Sequence, residues 1–409
     1  MTNLSSALER FLTPDELTVL RRAGEVAKQH RRDLYLVGGS VRDFLLGIAP
    51  ADLDLVAVGI DDRFATALAH DLNGRITARS QFVTAHLKAG KVGIDLAMAR
   101  SETYERPGAL PTLAPAEDIR EDLERRDFSV NAMAVSLSKK QWGRLVDPLK
   151  GRSDLEKKRL RVLHPKSFQD DATRIFRAVR YAVRLGFALD ATTRHVLRRD
   201  IGYVDTIGGE RVWNELERIF LEPRAVTTIR SAQKLGVLQA IVPGLGIPTS
   251  RVGRQPGGET RVKQLLALIA WPLMPIPGMA AVKKRLRLNA TLTRVLNDTG
   301  SVKELLSVLS SRDVSPSQLY NMLSGFDSDA IHAAAIACDD PDIARLLDYY
   351  LSELSDVNPL LDGDDLLELG VPEGPHMGKV LEELLTARLD GLLQTRDDEE
   401  SFVRKHLKK

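Results

Sequence analysis

The chain has 409 residues, is 43% hydrophobic and 28% charged, and carries 58 Lys and Arg against 56 Asp and Glu, a formal net charge of +2. That composition excludes a disordered tail, a collagen and a disulfide scaffold, and at roughly 100–200 residues per domain the length allows two to four domains. Cys338, the single cysteine, cannot form an internal disulfide, and the eight histidines show no Cys/His spacing that would hold zinc.

The first twelve residues lack a basic start followed by an apolar run of signal-peptide length. The longest apolar stretch, residues 265–282, contains Pro272, Pro275 and Pro277. It is expected to be a buried helix followed by a loop, not a span of the roughly 20 residues a bilayer requires. A cytoplasmic location and no membrane partner are expected.

In chain order, Leu34-Tyr35-Leu36-Val37 reads as a strand, Gly38-Gly39 as a turn, and residues 41–46 as a short helix. Asp52-Leu53-Asp54-Leu55-Val56-Ala57-Val58 reads as a second strand and Val92-Gly93-Ile94-Asp95-Leu96-Ala97 as another. Residues 102–118 contain three prolines and are expected to form a mobile loop. From Ser153 onward strand signals fade and helical periodicity dominates, with connectors at 243–258, 272–278 and 371–375. The expected organisation is an α/β head over residues 1–150, then an all-helical neck (151–222), body (223–345) and tail (346–409).

Charge is unevenly spread. Residues 339–409 hold 8 Lys and Arg against 18 Asp and Glu, a net of −10 that leaves +12 to residues 1–338. The basic excess is visible at residues 151–225 and in Lys283, Lys284, Arg285 and Arg287. A solvated helix face explains any one such cluster; a basic N-terminal three-quarters suits a phosphate-rich partner.

Three local patterns carry chemistry. In Asp52-Leu53-Asp54, strand alternation points both carboxylates the same way while Leu53 turns to the core. Such a pair repels itself unless a cation sits between, and hard oxygen ligands at this spacing suit Mg²⁺. Gly38-Gly39-Ser40-Val41-Arg42-Asp43 places backbone N–H groups and an arginine at a helix start, where phosphate binds. Asp171 and Arg174, three apart, are expected on one helix face. An acceptor-only carboxylate beside a donor-only guanidinium matches the amino group and ring nitrogen of cytosine or adenine and mismatches uracil and guanine.

Leu36-Val37-Gly38-Gly39-Ser40-Val41-Arg42-Asp43, then Asp52-Leu53-Asp54, then Glu121-Asp122-Leu123-Glu124-Arg125-Arg126-Asp127-Phe128-Ser129-Val130-Asn131-Ala132-Met133-Ala134, then Asp170-Asp171-Ala172-Thr173-Arg174-Ile175-Phe176-Arg177-Ala178-Val179-Arg180 together resemble a class II tRNA nucleotidyltransferase. That is the CCA-adding family, which shares its head with bacterial poly(A) polymerases. The resemblance implies a polymerase-β-like mixed sheet in the nucleotidyltransferase head, and addition of C and A from CTP and ATP to a tRNA 3′ end without a nucleic-acid template. It implies Asp52 and Asp54 as catalytic carboxylates holding Mg²⁺, with Asp95 a candidate third. Gly39, Arg42 and Arg126 would contact the nucleotide's phosphates or sugar, and Asp171, Arg174, Arg177 and Arg180 the incoming nucleotide. Lys283, Lys284, Arg285 and Arg287 would grip the tRNA backbone. Asp170 stands where the family usually has Glu. Residues 102–111 are similar to the loop that A addition needs, which argues against CC-only activity. No obligatory protein partner is expected. The alternatives are a poly(A) polymerase, or an RNA-binding protein that kept the fold without catalysis, against which the two intact carboxylates count.

Overall fold

Seven strands make the principal sheet of this computed structural model, which describes residues 2–407 apart from 51, 60–61, 81–83, 249–251, 253–255, 275–276 and 312. The strands of the chain are β1 Leu34–Val37, β2 Leu53–Ala57, β3 Arg75–Ser80, β4 Thr84–Ala89, β5 Val92–Met98, β6 Arg100–Thr103, β7 Thr112–Pro115, β8 Ala134–Ser136, β9 Leu145–Val146, β10 Arg159–Leu160 and β11 Ala188–Leu189. The main sheet runs β3-β4-β5-β2-β1-β8-β9; β2 and β5 are parallel and every other neighbouring pair antiparallel, so it is the expected mixed sheet. Its core face holds Leu34, Leu36, Leu55, Ile94 and Leu96, each nearly or wholly out of solvent. The helix Pro14–Gln29 packs here through Leu20, Ala23, Val26 and Ala27. Its start is fixed by Thr13 and Glu16, which close a capping box around Pro14.

Residues 102–118 are not all loop. β6 and β7 pair in an antiparallel ribbon from Arg100 opposite Pro115 to Thr103 opposite Thr112, leaving only its tip as loop. Pro115 is tolerated because it ends an edge strand, where no ladder hydrogen bond is required of it. The remainder is mostly, not wholly, helical. Leu160 and Leu189 are buried on the two short parallel strands β10 and β11, which bracket the helix Thr173–Leu185.

The chain forms two compact units, residues 1–215 and 216–409. In the second, the helices Gly258–Ala270 and Ala290–Ser311 pack on Ser328–Ala337. That last helix buries Ala330, Ala333, Ala334, Ala335 and Ala337, small side chains that let its neighbours approach from several sides. Residues 265–282 are not helix then loop. Gly258–Ala270 passes through the short turn Trp271–Leu273 into a second helix, Pro277–Leu286, because proline at the first helical positions needs no N–H partner. Pro275 and much of the 243–258 connector lie outside the described residues. A separate cluster, Leu361, Leu366, Val371, Val380, Leu384 and Val403, forms the core of the C-terminal helices. No described helix is long and apolar enough to cross a membrane.

Candidate functional site

Strand β1 ends at Gly38, whose φ of +70° is unstrained only without a Cβ. A Cβ there would sit 2.7 Å from Nη1 of Arg126 and 3.9 Å from Oδ2 of Asp54, so the arginine and the carboxylate converge on this glycine. The helix Gly39–Leu46 starts immediately, with no side chain capping it, and leaves its first-turn N–H groups for a ligand. Ser40 Oγ donates to the carbonyl of Asp52 at 2.7 Å and pins the approach of β2 to that helix start.

Asp52 is exposed just before β2, and Asp54 is half-buried on it. Parallel pairing sets Asp54 opposite Asp95 on β5. Burial pushes the Asp54 pKa up, Asp95 and Asp52 push the same way, and Arg126 and Arg42 oppose them. Asp95 is in turn hydrogen-bonded to His86 on β4. Among the described residues no group of three or more His, Cys, Asp or Glu side chains is set to hold a metal. The Asp52–Asp54 pair nonetheless fits Mg²⁺, which binds through one or two carboxylates and completes its shell with water and substrate phosphate.

Two buried networks hold the arginines. In one, Nη1 of Arg42 donates to Asn131 Oδ1 at 2.7 Å, Asn131 Nδ2 donates to Asp127 Oδ1 at 3.1 Å, and Nε of Arg177 donates to Asp127 Oδ2 at 2.8 Å. Burial alone would raise the Asp127 pKa, but Arg177 and Asn131 outweigh it and hold the carboxyl low. Arg42, Arg177 and Arg180 all lie over the Tyr181 ring, at 5.6, 5.4 and 5.2 Å from its centroid. Arg180 also faces Glu215 at 3.7 Å. In the other network the carboxylate of Asp122, wholly out of solvent, takes Nη2 of Arg125 at 2.7 Å and of Arg126 at 2.9 Å. Glu102, on the β6–β7 ribbon, takes Nη1 of Arg125 at 2.8 Å and the Tyr104 hydroxyl at 3.0 Å. Burial and Glu102 together push the Tyr104 pKa up.

Asp171 and Arg174 do not share a helix, contrary to the spacing. Asp171 is extended, φ −140° and ψ 101°, between the helices Ser167–Asp170 and Thr173–Leu185. The reason is local: its carboxylate accepts from the N–H of Thr173 at 3.1 Å and from its hydroxyl at 2.7 Å, a turn that competes with helix. Arg211 reaches the same carboxylate at 2.8 Å. Arg174, 5% exposed, donates to Ser167 Oγ at 2.9 Å and to the carbonyl of Arg125 at 2.7 Å. Arg174 lines a cavity of about 240 Å³ with Tyr104, Glu102, Arg125, His164 and Asp170. His164 stands 3.7 Å from Asp170, its pKa lowered by burial against that carboxylate's pull.

Gly39, Arg42, Asp52, Asp54, Arg126, Asp171, Arg174, Arg177 and Arg180 thus lie in the first unit. Lys283, Lys284 and Arg285 are on the helix Pro277–Leu286 of the second, Arg287 following it; Lys283 donates to Asn297 at 2.8 Å, and Lys284 and Arg287 are exposed. Spacing did not single out Glu102, Tyr104, Asn131, Tyr181 or Arg211. Arg211 lies outside the motif strings and Tyr181 at the margin of one, while Glu102 and Tyr104 fall in residues 102–111, which resembled a loop rather than part of the base-reading cluster; only tertiary folding brings them in.

Residues 34–161 match the Poly A polymerase head domain, and residues 186–246 match the probable RNA and SrmB-binding site of polymerase A. An A-adding tRNA nucleotidyltransferase of Halalkalibacterium halodurans is 31% identical, covering 98% of this chain and 95% of its own. One from Geobacter sulfurreducens is 32% identical over 96% of this chain, which spans only 47% of that relative. A CC-adding tRNA nucleotidyltransferase of Deinococcus radiodurans is 30% identical over 92% of this chain and 90% of its own. A solved apo CCA-adding enzyme superposes with a TM-score of 0.86 at 30% identity, covering 99% of both chains. The Thermotoga maritima CCA-adding enzyme complexed with tRNA does so at 0.79 and 28% identity, again over 99% of both.

Proposed function

The chain belongs to the tRNA nucleotidyltransferase family, and from that premise we propose that it adds nucleotides, A included, to tRNA 3′ ends from ATP and CTP with release of pyrophosphate. The observation that carries the reading is the convergence of Asp54, Arg126 and the Gly38–Gly39 helix start within one glycine's reach. Such a cluster puts phosphate-binding groups directly beside the carboxylates of Asp52 and Asp54.

Asp52 and Asp54 would hold Mg²⁺, which when bound neutralises phosphate charge and lowers the pKa of a ligated hydroxyl. The helix-start N–H groups and Arg126 orient the triphosphate, and Arg42 and Arg177, fixed through Asn131 and Asp127, keep positive charge where pyrophosphate departs. Asp171 and Arg174 read the base, the carboxylate accepting from an exocyclic amino group and the guanidinium donating to the adjacent ring nitrogen. Because Arg125 joins Glu102 of the ribbon to Arg174 through its own carbonyl, a shift of the ribbon is transmitted to the base reader.

The test is incubation of purified protein with tRNA lacking CCA, ending in C, or ending in CC, with each labelled nucleotide separately. Addition of A to the CC end is expected. No incorporation on any of the three overturns the reading, and a long A tail on arbitrary RNA would make it a poly(A) polymerase.

A further inference from the structure

Three guanidinium groups of the first unit gather on one aromatic ring. Those of Arg42, Arg177 and Arg180 lie 5.6, 5.4 and 5.2 Å from the centroid of Tyr181. Arg177 and Tyr181 are one turn apart on the helix Thr173–Leu185, whereas Arg42 comes from the helix Gly39–Leu46. Each arginine also has a carboxylate: Asp43 at 2.8 Å from Arg42, Asp127 at 2.6 Å from Arg177 and Glu215 at 3.7 Å from Arg180. Ion pairing by itself therefore ties each guanidinium to a different acid, and like charge pushes the three apart. The ring supplies what the acids do not, one electron-rich surface that attracts all three cations.

The ring is itself held. Phe128, wholly out of solvent, meets it edge to face at 6.1 Å and 83°, and the N–H of Phe128 donates to Asp127 Oδ1 at 2.8 Å. Asp127 thus fixes both Arg177 and the residue that fixes the ring. Toward the site, Nη2 of Arg42 would lie 3.5 Å from a Cβ built on Gly39, so this guanidinium is folded against the helix start whose N–H groups suit phosphate. Resting on the functional reading above, we propose that Tyr181 is a positioning residue whose π face preassembles Arg42, Arg177 and Arg180 as one receptor for the triphosphate of the incoming nucleotide and for the pyrophosphate that leaves. Charge set in place before the reaction costs no reorganisation during it. The hydroxyl is secondary, since the bond it accepts from Nη2 of Arg177 is 3.4 Å long. An apolar side chain of similar size would fill the same space; it would not hold the cations together.

The experiment compares the full chain carrying Tyr181→Phe, Tyr181→Leu, or a trifluorinated phenylalanine in place of Tyr181, which keeps the ring's shape while withdrawing electron density from its faces. KM and kcat are measured for ATP and UTP on an RNA ending in CC, and pyrophosphate affinity by calorimetry. Tyr181→Leu should raise the KM for ATP and weaken pyrophosphate binding by the same factor, about tenfold, and the trifluorinated ring by about threefold, with Tyr181→Phe within about twofold of wild type. The ratio of kcat/KM for ATP to that for UTP should stay constant throughout, because Asp171 and Arg174 are untouched. If Tyr181→Leu fails to fold, the shape-preserving fluorinated ring still decides. A fluorinated ring equal to phenylalanine, a Tyr181→Phe variant as impaired as Tyr181→Leu, a fall in base discrimination alongside the rise in KM, or a wild type that binds no pyrophosphate overturns the assignment. Calorimetry needs no turnover: pyrophosphate binding that weakens with ring electron density in a protein that adds no nucleotide refutes the functional reading and leaves the platform standing.

Discussion

Asp54 and Asp122 are both half-hidden or hidden carboxylates of the same unit, yet their environments drive them opposite ways. Asp54 is raised by burial and by Asp95, so it is held in a state that a cation would relieve. Asp54→Asn should lower nucleotide incorporation by more than about tenfold while leaving the urea midpoint unchanged or higher, because a repelled charge is removed with a ligand. Incorporation above a tenth of wild type, in a folded variant, would refute the ligand assignment. For Asp122, burial raises the pKa but Arg126 and Arg125 outweigh it, so the folded value lies below the unfolded one near about 3.9. The pairing therefore stabilises fully above that pH and fades as pH falls through the folded pKa. Asp122→Asn should cost about 3 kcal/mol in urea unfolding at neutral pH, with the gap to wild type narrowing in acid; a gap independent of pH would mean that charge plays no part. The paired acids and the glycine turn were legible in sequence because strand alternation and contiguity define them. The Asp95–His86 contact was not, since it depends on the β4–β5 register.

At the scale of elements, sequence spacing failed where a side chain competes with the backbone. Asp171 leaves the helix because Thr173 and Arg211 capture its carboxylate, information spread over forty residues. The base-reading proposal survives as a matter of chemistry, since Asp171 still presents only acceptors. Asp171→Asn introduces a donor opposite O4 of uracil, and single-turnover assays should show UTP incorporation rising at least about tenfold relative to CTP. An unchanged ratio would mean the base is read elsewhere. Prolines in residues 102–118 suggested a loop, whereas the ribbon is fixed by cross-strand pairing, to which the prolines fall at the tip or the end. Replacing residues 105–110 by a short glycine linker keeps Glu102 on Arg125 and should suppress A addition while sparing C addition. Equal loss of both on matched tRNA substrates would assign the tip to catalysis in general.

For the whole molecule the informative quantity is the charge carried by each stretch of chain, not the net value of +2. On the proposed function, the acidic segment at residues 339–409 would repel an RNA backbone, and a grip on a duplex stem would come from basic surface elsewhere. Lys284 and Arg287 are exposed at the end of the helix Pro277–Leu286, whereas Lys283 is already engaged by Asn297. Non-specific phosphate contacts release counterions, each adding roughly 0.9 to the magnitude of the slope of log affinity against log salt on a duplex. Lys284→Ala/Arg287→Ala should therefore flatten the salt dependence of tRNA binding by about that amount per residue, whereas Lys283→Ala should change it less. The variants touch no group assigned to the nucleotide, so the KM for ATP should stay constant. Titrations of wild type and variants from 50 to 300 mM KCl, roughly the range in which such contacts are resolved, decide the matter. Parallel slopes for all three would remove this helix from the RNA interface and leave its basic residues as a solvated face.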